Sequence, residues 1–291
     1  MDLRRENRCR SALPQRRTSR KARHANWCWS DAYHDQSARC RDDRPVPRRI
    51  RQIEPRKLLS MTRHWIRQIE AVRSQLLSMG THAEAQVSEA TRALHDLDRD
   101  RALDVIAEDD QLDEMDVALE EECLHSIALF QPVASDLRLI ISSMSVGHEL
   151  ERIGDLAVNI AESVVRLRDG GVATTQIVLP ECLRQANLQA IEMLRKSLDA
   201  FIDRDASTCR KLIYQDRELD RLHRQIFQWL KEGISKNPTD LDWMIEITGI
   251  SKHIERIADH VTNIAEIVIY WVEGEIVRHR QSIDDNEETA S

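Results

Sequence analysis

Eight carboxylates stand in four matched pairs along this chain: Asp109 with Asp113, Glu151 with Asp155, Asp216 with Asp220, and Glu255 with Asp259. Within each pair the residues are four apart, so on a helix one stands above the other on a single face. Like charges at that spacing repel and cost helix stability unless a cation or an arginine neutralises them. Oxygen-only donors suit Mg2+, Ca2+, Mn2+ or iron better than copper, and several carboxylates together can bridge more than one ion. Asn159 and Asn263 lie one turn beyond the aspartates and could add a carbonyl oxygen or order the ligands. Glu162 and Glu266 follow as candidates for supporting the ligands from behind. The plainer reading is a solvated acidic face, with Arg152 or Arg256 satisfying one carboxylate of each pair.

Other chemistries find less support. Glu122 and His125 form an E-x-x-H spacing, and Asp220 and His223 a D-x-x-H spacing, but they fall in different halves of the chain. A ferritin-like di-iron centre needs two E-x-x-H pairs and two further glutamates in one bundle, so the fit is poor. No nucleophile elbow, phosphate-binding loop, dinucleotide fingerprint or H-E-x-x-H run is present. Cys123 stands among glutamates, which raise a thiol pKa and argue against a nucleophile.

The elements that must position these residues are helices. Apolar positions at Trp65, Ile66, Ile69, Val72, Leu76, Leu77, Val87, Ala90 and Leu94 step by three and four and predict a helix over about 61–96, with Gly80 a tolerated weak spot. A second helix over about 99–130 carries Leu103, Ile106, Leu112, Met115, Leu119, Leu124 and Ile127, and Pro132 ends it. A third over about 134–168 carries Leu137, Ile140, Ile141, Met144, Leu150, Ile153, Leu156, Ile160, Val164 and Leu167, and Gly170-Gly171 breaks the chain after it. The second half follows the same scheme, with helices over about 180–203, 205–235 and 240–273. Long helices joined by short connections pack antiparallel as bundles.

Internal repetition strengthens the case for chemistry. Residues 151–162 read ERIGDLAVNIAE and residues 255–266 read ERIADHVTNIAE, 104 positions apart and identical at eight of twelve. DDQLD at 109–113 corresponds to DRELD at 216–220, and the corner Gln131-Pro132 to Asn237-Pro238. The chain is a duplicated three-helix unit, so the carboxylate pairs recur at matched places in both copies.

Composition agrees with an all-α body. Of 291 residues 32% are charged and only 4% aromatic, with 8 Gly and 7 Pro, a profile that favours helices over sheets. The formal net charge of −8 hides two unlike parts. Residues 1–60 hold 17 basic and 7 acidic residues, leaving 25 basic and 43 acidic for the rest, a balance of −18 that repels nucleic acid and attracts cations. Segment 1–60 is Arg-rich, carries Pro14, Pro45, Pro47 and Pro55, and shows no sustained period, so it is expected to be disordered. The regular helical pattern of the rest begins at Met61, which marks that residue as a candidate true start. A zinc site from His24, Cys28, His34 and Cys40 is a poor match to finger spacings. Six cysteines without close pairing and without a signal peptide are expected to be reduced thiols in the cytoplasm. No apolar stretch reaches the roughly 20 residues of a membrane span. The expected organisation is a basic extension 1–60, a first unit 61–170, a linker 171–178, a second unit 179–273 and an acidic disordered tail 274–291.

ERIGDLAVNIAE and ERIADHVTNIAE, the corners QPVASDLRLI and NPTDLDWMI, and the acidic second and fifth helices resemble the PhoU family of phosphate-uptake regulators, from about Met61 to Val272. The resemblance implies two tandem three-helix bundles and a non-enzymatic negative regulator of phosphate uptake and of the phosphate-starvation response. It implies partners in the ATPase subunit of a phosphate ABC transporter and in a sensor histidine kinase, with a homodimer reaching the membrane only through them. It also implies multinuclear metal binding (iron, zinc, manganese or magnesium) at an [ED]-x-x-x-D motif occurring twice per repeat. Here that motif falls on Asp109/Asp113, Glu151/Asp155, Asp216/Asp220 and Glu255/Asp259. The extension 1–60 departs from the family pattern. Two alternatives differ in class: a carboxylate-bridged metal-dependent enzyme, which would need an open coordination position and a pocket, and a passive helical scaffold whose acids serve solubility alone.

Overall fold

A computed structural model describes residues 55–170 and 177–277, with side chains from His64 onward. The basic extension, with His24, Cys28, His34 and Cys40, and the tail beyond Val277 lie outside the described residues. All regular structure among the described residues is helical: α1 Pro55–Asp96, α2 Arg99–Ala107, α3 Asp109–Phe130, α4 Ser135–Asp169, α5 Glu181–Asp203, α6 Ala206–Lys236, a 3-10 turn Pro238–Asp240, and α7 Leu241–Glu273.

The apolar stripes explain why these segments are helices and which faces they bury. On α1, Val72, Leu76, Met79, Ala83, Val87, Ala90 and Leu94 are all buried at helical spacing. Their counterparts on α4 run from Ile140 through Leu150, Ile153 and Ile160 to Leu167, and on α7 from Ile247 through Ile257 and Ile264 to Trp271. The helices α1, α3 and α4 form the first bundle, joined by α2, and α5, α6 and α7 form the second. The two halves meet mainly through α4 against α7, and also through α1 against α5. Gly80 permits the second contact: a β-carbon there would lie 2.8 Å from Leu198 Cδ1. What the sequence marks as a weak spot in α1 is the place where α5 comes closest.

Three expectations need correction. The helix expected over 99–130 is two helices, α2 and α3, broken at Glu108 (φ −95°, ψ 6°). Gln86, buried on α1, donates from Nε2 to the Glu108 carbonyl at 3.2 Å, which also accepts the Gln111 N–H at 3.2 Å, so the break is tied to its neighbour. The first helix begins at Pro55 rather than near 61; proline suits a helix start because its missing N–H would be unpaired there anyway. Five positions assigned to the apolar stripes, Ile66, Leu77, Leu103, Leu124 and Ile141, are exposed instead. Each lies beside a buried or partly buried residue, and a straight count by threes and fours does not tell the edge of a stripe from its centre.

Candidate metal centre

Three of the first four carboxylates converge because α3 packs closely on α4, and Asp109, one turn before Asp113, lies outside that group. Gly154 lies inside the ERIGD motif, and a β-carbon on it would stand 2.5 Å from Leu112 Cδ1 of the DDQLD motif. This close approach brings Asp113, Glu151 and Asp155 together, with one ligand oxygen of each within 4.8 Å of the others. Oxygens on opposite sides of one cation, each at about 2.0–2.6 Å, are themselves about 4–5 Å apart, so the donor set fits a hard cation.

Charge crowding is written into their acidities. Burial first, then Asp113, pushes Asp155 above the ordinary aspartate range, while Arg152 and His260 oppose the shift. Burial, Asp155, Asp113 and Asp116 raise Glu151, and burial with Asp155 and Asp113 raises Asp109. Asp109, Glu151 and Asp155 each hold the proton more tightly because burial penalises the charge and because the neighbours are anionic, and a cation relieves the repulsion. Asp109 is the first residue of α3, created by the break at Glu108, where the positive end of the helix dipole favours an anion.

The second set gathers on α6 and α7 in the same order. Asp216 is pushed up to about 6 by burial, Asp220, Asp259 and Glu255. Burial, Glu255 and Asp220 likewise raise Asp259, against His260 and Arg256. The geometry is looser than in the first set: among the described residues only Asp113, Glu151 and Asp155 bring three ligand atoms within 4.8 Å. One support recurs, because Gln189 of α5 donates to the Gln215 carbonyl at 3.1 Å, just as Gln86 serves Glu108. Each of these carbonyls immediately precedes the first aspartate of its motif.

The asparagines do not behave alike. Asn159 Nδ2 donates to the Asp155 backbone carbonyl at 2.7 Å. Asn263 crosses to the other repeat, where its Nδ2 donates to Glu149 Oε2 at 3.0 Å beside His260 Nδ1 at 2.8 Å. Arg152 and Arg256 line one cleft with Glu151, Asp155, Asn159 and His260, yet neither guanidinium forms an ion pair among the described residues. Those arginines act on the acidic pairs by charge at a distance: Arg152 opposes the raised proton affinity of Glu151 and Asp155, and Arg256 that of Asp259. Glu122 is engaged by Gln68 of α1, and His125 points to solvent, so the E-x-x-H spacing assembles nothing. Cys123 is buried and its thiol is pushed up to about 12, by burial first and then by Glu122 and Glu120.

Sequence reading missed Asp116, His148, Glu149 and His260. Asp116 lies on the α3 face of Asp109 and Asp113, three residues past the second, and accepts from or pairs with His148 Nδ1 at 2.7 Å. The i, i+4, i+7 spacing was the available signal. Glu149 and His260 carry no local signal, since they meet only when α4 and α7 pack.

No described helix is long and apolar enough to cross a membrane. The PhoU domain matches residues 76–164 and again residues 183–268. A phosphate-specific transport system accessory protein PhoU homolog from Pseudomonas aeruginosa is 38% identical over 224 residues, covering 76% of this chain and 91% of that one. The phosphate-specific transport system accessory protein PhoU of Escherichia coli K12 is 32% identical over 212 residues, covering 73% and 86%. The crystal structure of PhoU from Pseudomonas aeruginosa superposes with a TM-score of 0.67 at 36% identity, covering 72% of this chain and all (100%) of that one. That of the phosphate transport system regulatory protein PhoU from Streptococcus pneumoniae gives 0.67 at 28% identity, covering 73% and 99%. The tandem bundles, the double domain match and these relatives agree: the chain belongs to the PhoU family.

Proposed function

We propose that this chain is a cytoplasmic, non-enzymatic negative regulator of phosphate uptake and of the phosphate-starvation response. It acts by metal-dependent contact with the ATPase subunit of a phosphate ABC transporter and with a sensor histidine kinase. The observation that carries the reading is the convergence of Asp113, Glu151 and Asp155 within 4.8 Å in a chain whose relatives are named accessory proteins of phosphate-specific transport. The residues proposed as ligands are Asp109, Asp113, Glu151 and Asp155 in the first centre, and Asp216, Asp220, Glu255 and Asp259 in the second.

Bound divalent or trivalent cations (iron, zinc, manganese or magnesium) would neutralise the acidic faces and offer open positions to acidic groups of a partner. The chain's own part is to hold the carboxylates: Leu112 against Gly154 fixes the spacing of α3 and α4, and His260 ties the two repeats together. Such a site regulates by docking, as a homodimer that reaches the membrane only through its partners and does not engage nucleic acid. A metal-dependent enzyme is less well supported, because the relatives are named transport accessory and regulatory proteins.

The test is phosphate uptake in cells lacking the gene and grown in abundant phosphate. The native chain should restore repression of uptake, and the combined E151Q, D155N, E255Q and D259N chain should not, at equal expression. Full repression by the quadruple variant would remove the carboxylates from the function.

A further inference from the structure

We propose that two copies of this chain join through the outer face of α3 in one and the outer face of α6 in the other, ridges of opposite charge at matched positions of the duplication. This inference rests on the homodimer of the reading above and assigns its interface.

The two helices are equivalents in the repeat, yet their charges are opposite. α3 carries eight Asp/Glu and no Lys/Arg, whereas α6 carries seven Lys/Arg and four Asp/Glu. The buried residues Leu112, Leu119 and Cys123 of α3, and Leu212, Leu219 and Ile226 of α6, fix which side of each helix is outward. On that side α3 presents Asp110, Glu114, Val117, Glu121 and Leu124, at steps of four and three. The same positions 107 residues on are Arg217, Arg221, Arg224, Gln228 and Lys231. All ten are exposed.

Within one chain these ridges do not cover each other, because α3 packs against α1 and α4, and α6 against α5 and α7. Glu114, Glu121 and Arg224 form no ion pair among the described residues. Arg221 meets Glu218 three residues away in an exposed pair, of a kind that contributes little. Apolar groups stand among the charges: Val117 is 57% and Leu124 52% exposed on α3, and Tyr214, 63% exposed on α6, lies under the Arg217 guanidinium at 5.7 Å. Tyrosine and arginine are enriched where proteins meet.

The charges select the pairing. Two α3 faces repel, and so do two α6 faces, which leaves α3 against α6 as the favoured contact. With the helices antiparallel and Glu114 of one copy level with Arg224 of the other, Glu121 falls level with Arg217, and Leu124 with Tyr214. Each copy owns one ridge of each sign, so a two-fold dimer makes the contact twice.

The experiment is sedimentation velocity of the full chain at low and high salt, on the native chain, on E114K/E121K, on R217E/R224E, and on the chain with all four changes. Circular dichroism of each reports folding. The native chain should be a dimer that weakens as salt rises. Each double variant sets like charges face to face and should dimerise about tenfold or more weakly. Mixed one to one, the double variants should form a heterodimer, since reversed ridge then meets reversed ridge and native meets native. The chain with all four changes should dimerise by itself for the same reason. Folded double variants that dimerise as tightly as the native chain would overturn this interface and leave the homodimer standing. Weakened double variants with no recovery on mixing or in the fourfold variant would overturn it too. A native chain that stays monomeric at every concentration would instead overturn the homodimer beneath it.

Discussion

Glu149 of α4 and His260 of α7 meet at 2.8 Å across the boundary between the two repeats, and Asn263 donates to the same carboxylate oxygen. Burial pushes Glu149 up, but the hydrogen bonds from His260 and Asn263 and the charges of His260 and Arg152 outweigh it and hold the carboxyl below its ordinary range. His260 also adjoins Asp259 in sequence and opposes the proton affinity of both Asp155 and Asp259. One imidazole thus lies within electrostatic reach of both carboxylate clusters.

Removing Glu149 leaves His260 partly buried without this partner, and removing His260 leaves Glu149 with Asn263 on that oxygen. Glu149→Ala and His260→Ala are each expected to cost about 1–3 kcal/mol, by the usual desolvation cost of an orphaned polar group. Denaturant midpoints of the two single variants and the double variant will check it. The double variant should lose less than the sum, with a coupling of about 0.5–3 kcal/mol.

The closeness of α3 and α4 depends on a missing side chain. Gly154→Val places carbon where Leu112 already stands, and overpacking of this kind costs about 1–3 kcal/mol. The same change should weaken metal binding at the first centre and leave the second intact, because Ala258 already occupies the matching position there. Titration of Gly154→Val in the E255Q/D259N background reads the first centre alone.

Asp216 makes the metal-free chain sensitive to pH. Its folded pKa of about 6 lies above the ordinary 3.8, so between those values the folded state binds more protons than the unfolded state. Stability contributed by this group is therefore greatest below pH 4 and falls as pH rises through 6. After allowance for solvent screening the loss is about 1–2 kcal/mol. Melting temperatures of the metal-free chain between pH 4.5 and 7 should show this slope, and D216N should flatten it.

Gln86 and Gln189 are expected to act on one centre each. Gln86→Leu removes the side-chain donor from the Glu108 carbonyl, which keeps the Gln111 N–H, and loses about 0.5–1.5 kcal/mol of stability, the net worth of an ordinary hydrogen bond. Because that carbonyl sits one residue before Asp109, cation affinity should fall at the first centre. Gln189→Leu should do the same at the second, through Gln215. Isothermal titration of each single-centre background separates the two effects.

What could be read from the chain and what could not divide along physical lines. The carboxylate pairs are legible because four-residue spacing on a helix fixes a common face, and because duplication repeats the pattern beyond chance. The helices are legible from their apolar stripes, apart from the break at Glu108, whose carbonyl meets Gln86 twenty-two residues away. Asp116 shares the legible face, but a third polar residue two turns along is common on exposed helices and does not stand out. Glu149 with His260, and Gly154 with Leu112, depend on how helices distant in sequence pack, and no local spacing encodes that. Gly80 misleads for the same reason: alone it is a poor helix residue, and beside Leu198 it is a contact.

Elemental analysis of the full chain purified without chelator, beside the E151Q, D155N, E255Q and D259N quadruple variant, tests the central claim most directly. Stoichiometric iron, zinc, manganese or magnesium in the native chain, lost in a variant that keeps its helicity, is the predicted result. Metal retained at the same stoichiometry by the quadruple variant, or absent from the native chain even after incubation with each ion, would contradict it.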